Sequence, residues 1–167
     1  HFTPQGVVDA RARRLRAVAP DDDWHHQDVA RSAAAVQRAG GKVTLGGHGQ
    51  LQGLGSHWEL WALAGPGAMT PMEALRSATI HGATYLGMEE HLGSLKPGKL
   101  ADFFVVEGDP LTRIEDSTAV RWTVKNGALY DAATMDRVWP DPAPAPLLLH
   151  QIARGDLEGG CAAEHLH

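Results

Sequence analysis

Ten histidines, ahead of any other residue type, carry the chemistry that these 167 residues could offer. His48 stands in a glycine-rich run, GGHGQLQGLG, residues 46–55. A neutral imidazole binds a metal or shuttles a proton near neutral pH. The plain alternative is a histidine whose hydrogen bonds shape the loop. His57 opens a helix, where the partial positive charge of the helix end favours a neutral ring. It is either an active-site residue or a partly buried helix-start histidine. Glu59 completes the capping-box form Ser56-His57-Trp58-Glu59 and is read as that cap ahead of a catalytic carboxylate. Gln50 and Gln52 are of a type that contacts either substrate or water.

The other histidines carry less. His25 and His26 are adjacent, so on a helix start their side chains diverge and do not share a metal. His81, His91 and His150 read as structural. Glu164-His165-Leu166-His167 contains a His-x-His by letter, but in a Gly-rich tail expected to be loose. Trp58 and Trp61, three apart, read as helix core. Cys161 is the sole cysteine, which excludes an internal disulfide and a thiolate zinc cluster.

The elements that must position these groups follow from spacing and punctuation. Thr3-Pro4 starts a helix over residues 4–17. A second helix runs over about 26–39, with Val29, Ala33 and Val36 at helical spacing, and Gly40-Gly41 ends it. Residues 42–45 are expected as a strand that empties into the glycine-rich loop, followed by a helix from Ser56 to about Ala64. Thr70-Pro71-Met72-Glu73 is a second capping box and opens a helix to about Ala78, with another near 79–86. Leu100 to Val106 reads as a buried strand despite Asp102, which needs hydrogen-bonding partners there. Lys99 reads as a solvated or ion-paired surface residue. Asp109-Pro110 is a turn. Val120–Val124 and Ala128–Tyr130 flank Lys125-Asn126-Gly127, a hairpin with the favoured Asn-Gly pair. Beyond Trp139, four prolines at alternate positions predict an extended linker, and residues 147–167 a disordered tail.

Bulk composition excludes several classes. The formal charge is −5, with 43% hydrophobic and 21% charged residues. That balance fits a globular protein, and without a Lys/Arg run it gives no support to a nucleic-acid partner. The apolar stretches are only a few residues long, far short of a membrane span. The chain opens at His1 without Met and without a signal-peptide layout, and is expected to start inside a longer protein.

The order of helix, strand, glycine-rich loop, helices and hairpin carries a resemblance. Residues 69–79 (MTPMEALRSAT), His81-Gly82-Ala83 and Leu86-Gly87 resemble the helices after the last barrel strand of amidohydrolases. Residues 92–106 (LGSLKPGKLADFFVV), Gly108 to Leu111 and Val124 to Gly127 resemble the family's following segment, in one order over about 40–135. In that family the counterparts of Lys99 and Asp102 lie outside the catalytic centre. Gly46 through Glu59 is similar to a subgroup of predicted hydrolases often fused to β-propeller repeats, as are Phe2-Thr3-Pro4 and Asp22 to His26.

The resemblance implies an α/β fold class: the C-terminal part of a (β/α)8 barrel, its last strand and helices, over residues 1–90. Strands of the small amidohydrolase β-sandwich would occupy 91–139, and the linker and tail 140–167. It implies a divalent metal, zinc foremost, that activates water at the C-terminal ends of the strands. The eighth-strand aspartate that usually takes the water's proton falls at about His48. This departure puts the usual proton acceptor in doubt and makes His48 the candidate metal and catalytic residue, with His57 a second catalytic candidate. A closed barrel needs roughly 200–250 residues, so the expectation is a fragment, missing the N-terminal part of the barrel. By itself it would be inactive, would not retain the metal, and would be marginally stable or self-associating. The whole protein would hydrolyse a C–N bond, amide or cyclic amide, of a small molecule, in the cytoplasm or the periplasm. Two readings compete: a non-catalytic remnant acting as a binding or scaffolding module, and a small histidine metal-binding protein.

Overall fold

The computed structural model of the chain describes residues 20, 25–47 and 53–146. The expected first helix, His48, Gln50, Gln52, His150, Cys161 and the Glu164–His167 tail lie outside the described residues. Helix α1, His26–Arg38, carries Asp28 in its first turn and Arg38 in its last, each suited to the helix dipole,. Gly40, at φ 94°, turns the chain out of it, and Gly41 N–H closes on the Val36 carbonyl at 3.0 Å. The face α1 buries is not the expected Val29–Ala33–Val36 stripe. Ala30 and Ala34 are buried, while Val29 and Val36 are exposed. The small alanines let helix α2, Leu54–Leu63, approach closely, and the two valines stay largely in solvent.

Residues 42–45 form no strand, contrary to expectation. A strand is defined by its ladder, and no described segment pairs with this one. Val43 and Leu45 instead pack as side chains against a core of Ala34, Leu60, Leu63, Met69, Ala74 and Ile114. Each fully buried leucine in such a core contributes about 1.5–3 kcal/mol. Helix α2 starts at Leu54 from Gly53, without a side-chain cap. The expected cap at Ser56 therefore sits inside the helix. Of its two tryptophans, Trp61 packs on the core and Trp58 is exposed.

Helix α3, Pro71–Ala78, has the capping box the sequence announces, complete in both directions between Thr70 and Glu73. Helix α4, Ile80–Tyr85, follows directly. Gly93 then passes at φ 84°, and a Cβ there would lie 2.6 Å from Ala83 Cβ, so only glycine fits between α4 and the outgoing chain,. Lys99 is not a free surface cation. Its ammonium caps the Glu89 and Leu92 carbonyls and the Ser94 hydroxyl, binding the loop onto itself.

Four antiparallel strands close the described chain: β1 (Phe103–Val106), β2 (Val120–Lys125), β3 (Ala128–Asp131) and β4 (Arg137–Trp139), in that spatial order. Asn126 and Gly127, both at positive φ, make the turn of the expected hairpin. Asp102 lies one residue before β1 and is satisfied as required: Lys125 Nζ at 2.5 Å and Asn126 N–H at 2.6 Å both donate to it. Those contacts hold its carboxyl below the usual range, Lys125 first. Strand β4 has no counterpart in the sequence reading. It is held by Ala143, which exchanges two backbone hydrogen bonds with Arg137, so the proline tract begins folded back on the sheet. Strand β1 is an edge, and Phe103, Phe104 and Val105 on its two faces stay exposed.

Between β1 and β2 the chain makes a 3-10 helix, Ile114–Thr118. The turn ahead of it is the expected one. Asp109 accepts from Leu111 N–H and the Thr112 hydroxyl, while Asp116 accepts from Asp109 N–H. Ile114 enters the helical core, so this short element joins the sheet to the helices.

Candidate functional site

Of the polar groups singled out in the sequence around the glycine-rich loop, His57 and Glu59 lie on helix α2. Glu59 is the clearest case. Both of its oxygens accept from Gly46 N–H, at 2.8 and 2.9 Å. It is therefore not the cap of its own helix, as expected, but a clamp on the chain entering the glycine-rich loop. Gly47 lies against the same helix, where an added Cβ would come within 3.0 Å of Ser56 Oγ. The last two described residues before His48 are thus fixed to α2. Upstream, His81 Nδ1 meets the Val43 carbonyl at 3.2 Å. That is the structural role expected of it, and it braces the segment leading to the loop.

His57 rises from the same helix, partly buried. Its Nδ1 lies 3.1 Å from Ser117 Oγ, and Trp61 Nε1 donates to the same oxygen at 3.1 Å. Burial pushes the His57 imidazole below its ordinary value, which favours the uncharged ring,. The cause of this shift is burial, not the helix end on which the expectation rested. Ser117 is a residue the sequence reading missed. A lone serine in a short turn 60 residues away carries no signal of contact with His57.

A second polar group, Arg38 with Glu73, Thr70, Gln37 and Ser77, joins α1 to α3. The Arg38 guanidinium and the Thr70 N–H hold Glu73 down to about 2. This network is architectural.

As to a metal, no group of three His, Cys, Asp or Glu side chains among the described residues is arranged to hold an ion. His57 turns one nitrogen to a serine, Glu59 is committed to a backbone amide, and His25 and His26 are exposed at the start of α1. The described residues do not by themselves fit a metal centre. His48, the expected ligand, lies outside them. No helix among the described residues is long and apolar enough to cross a membrane.

Comparison with known proteins gives these elements a family. The model of the amidohydrolase family matches residues 25–130. A 5'-deoxyadenosine deaminase of Methanobrevibacter smithii is 40% identical over 77 residues, covering 44% of this chain and 18% of the deaminase. An imidazolonepropionase of Pseudomonas fluorescens is 66% identical over 35 residues, 21% of this chain and 9% of that one. A Xaa-Pro dipeptidase crystallised with methionine in its active site superposes with a TM-score of 0.55 at 30% identity, over 62% of this chain and 26% of the dipeptidase. The chain therefore spans about a quarter or less of the length of these relatives. Members of the family generally use a divalent metal and act on small molecules. Matched over most of its length, and sharing the mixed helix-and-sheet fold of solved amidohydrolases, this chain belongs to the amidohydrolase family.

Proposed function

We propose that this chain is the C-terminal part of a metal-dependent hydrolase of C–N bonds, contributing the loop after the last barrel strand and part of the small β-sandwich. The observation that carries the reading is the Glu59–Gly46 clamp. It fixes the entry of the loop bearing His48 to the helix bearing His57, within the span that matches the family. The relatives' names supply the substrate class: small molecules with a scissile C–N bond, in an amide, a dipeptide or an amino-substituted ring. In this reading His48 takes the place of the usual aspartate and faces the metal, zinc foremost, whose remaining ligands come from residues outside those described. The glycine-rich loop sequence favours the subgroup often fused to β-propeller repeats.

The short share of each relative that the chain covers and the exposed apolar strand β1 support a fragment that leaves surface for the rest of the protein, β1 for further strands of the sandwich,. On its own such a chain would be inactive, would not retain the metal and would tend to self-associate. The test is a hydrolysis assay with added zinc on two proteins: the 167-residue chain, and the same chain extended by the upstream reading frame. The panel holds dipeptides, cyclic amides and aminopurine nucleosides. Turnover by the extended protein alone, lost in His48→Ala, is expected. Turnover by the short chain, or none by the extended one, overturns the proposal.

A further inference from the structure

The Ser117 side chain is fully buried, and its Oγ stands between two ring nitrogens of helix α2, Trp61 Nε1 and His57 Nδ1, each at 3.1 Å. The two rings are four residues apart and so lie on one face of the helix. The hydroxyl comes from a different element, the 3-10 helix between β1 and β2. An indole N–H can only donate, so Ser117 Oγ accepts from Trp61. The hydroxyl proton then needs an acceptor of its own, because a buried donor left unpaired is costly. Among the described residues the one other group bonded to this oxygen is His57 Nδ1.

We infer that Ser117 is a positioning residue: it donates to His57 Nδ1 and holds the imidazole as the neutral tautomer with its proton on Nε2. Protonating Nδ1 would turn a second donor onto an oxygen already accepting from Trp61, and would strand the hydroxyl proton. The ring's remaining function is then that of a donor. Nε2–H can meet a substrate carbonyl oxygen, or the negative charge that grows on it during attack. It has no lone pair free to bind a metal or abstract a proton. This assigns the expected active-site role of His57 to oxygen binding, and leaves metal binding and proton transfer to other residues. The assignment of a substrate rests on the proposed function; the tautomer does not.

The sheet supplies the precision. Ser117 follows Asp116, which accepts from Asp109 N–H at 3.0 Å and Arg113 Nε at 2.5 Å. Gly108 packs so closely on the Asp116 carboxylate that a Cβ would sit 2.7 Å from it. The Gly108-Asp109-Pro110 turn therefore has a use beyond reversing the chain. It sets the 3-10 helix that delivers one hydroxyl to α2.

The experiment is nitrogen-15 NMR of the histidine rings in the 167-residue chain, with His57 assigned by its loss in His57→Gln. The expected result is a pyridine-type Nδ1 and a pyrrole-type Nε2 resonance at pH 7. Ser117→Ala removes the donor, and Trp61→Phe frees the hydroxyl to accept, so both are expected to move His57 toward a mixture of tautomers. A wild-type ring that is already averaged, or that carries its proton on Nδ1, overturns the inference, as does a Ser117→Ala spectrum identical to wild type. The wild-type spectrum decides the matter even if a variant does not fold. Failure of the proposed function would show separately, as no hydrolysis by the extended protein, whereas hydrolysis indifferent to His57→Ala would overturn the oxygen-binding role alone.

Discussion

Replacing Glu73 by glutamine isolates one charge at the joint between α1 and α3. The carboxylate receives Arg38 Nε on one oxygen at 3.0 Å and Arg38 Nη2 on the other at 2.9 Å, a two-pronged pairing,. It also accepts Thr70 N–H at 2.8 Å, which glutamine can retain as a capping-box residue,. A shift from 4.5 to about 2 corresponds at face value to about 3 kcal/mol. The side chain is 23% exposed and its arginine partner 51% exposed, so solvent screening cuts this to about 1 kcal/mol. The sign follows from a depressed value: the contribution is complete above about 4.5 and is lost as pH falls from there toward 2. Urea unfolding of wild type and Glu73→Gln at pH 7 and at pH 2.5 reads it directly. Wild type should lead by about 1 kcal/mol at pH 7, a difference of about 2–4 °C in Tm. The lead should shrink toward zero at pH 2.5. Equal stability at pH 7, or a gap that does not change with pH, would refute this account of the joint.

Other substitutions probe the remaining contacts. Glu59→Ala should leave α2 helical by circular dichroism while the Gly46 amide exchanges about five- to tenfold faster, since one modest hydrogen bond is lost; unchanged exchange would mean the clamp does not hold. Gly93→Ala should destabilise the chain by about 1–3 kcal/mol in urea unfolding, from the positive φ and the 2.6 Å approach to Ala83,. Asp102→Asn should loosen the turn at Asn126, seen as faster exchange of that amide. In a pH titration by NMR, the Asp102 carboxyl should titrate below an ordinary aspartate, and above it would contradict the contacts with Lys125 and Asn126.

Local signals in the sequence located what local physics decides. The Thr70–Glu73 box, the Gly40 stop and the Asn126-Gly127 turn are each set within a few residues, and each appears as read. What failed needed a partner. Residues 42–45 have the composition of a strand, but a ladder needs a neighbour, and the segment packs by its side chains instead. The buried face of α1 is Ala30–Ala34 rather than its valines because α2 selects the small residues. Glu59 had the spacing of a cap, yet the helix begins two residues before Ser56 and the carboxylate reaches back 13 residues to Gly46. Ser117 is the extreme case, legible only once the 3-10 helix is docked on α2. His57 stands out in the sequence by type and position, but its bond to Ser117 depends on that docking.

The central claim, a C-terminal part of a metal-dependent hydrolase, is tested most directly by reading the coding DNA upstream of His1. The account predicts an open frame of several hundred codons that encodes a strand ending in His-x-His. A start codon within a few residues of His1 would contradict it, and the non-catalytic module would take its place.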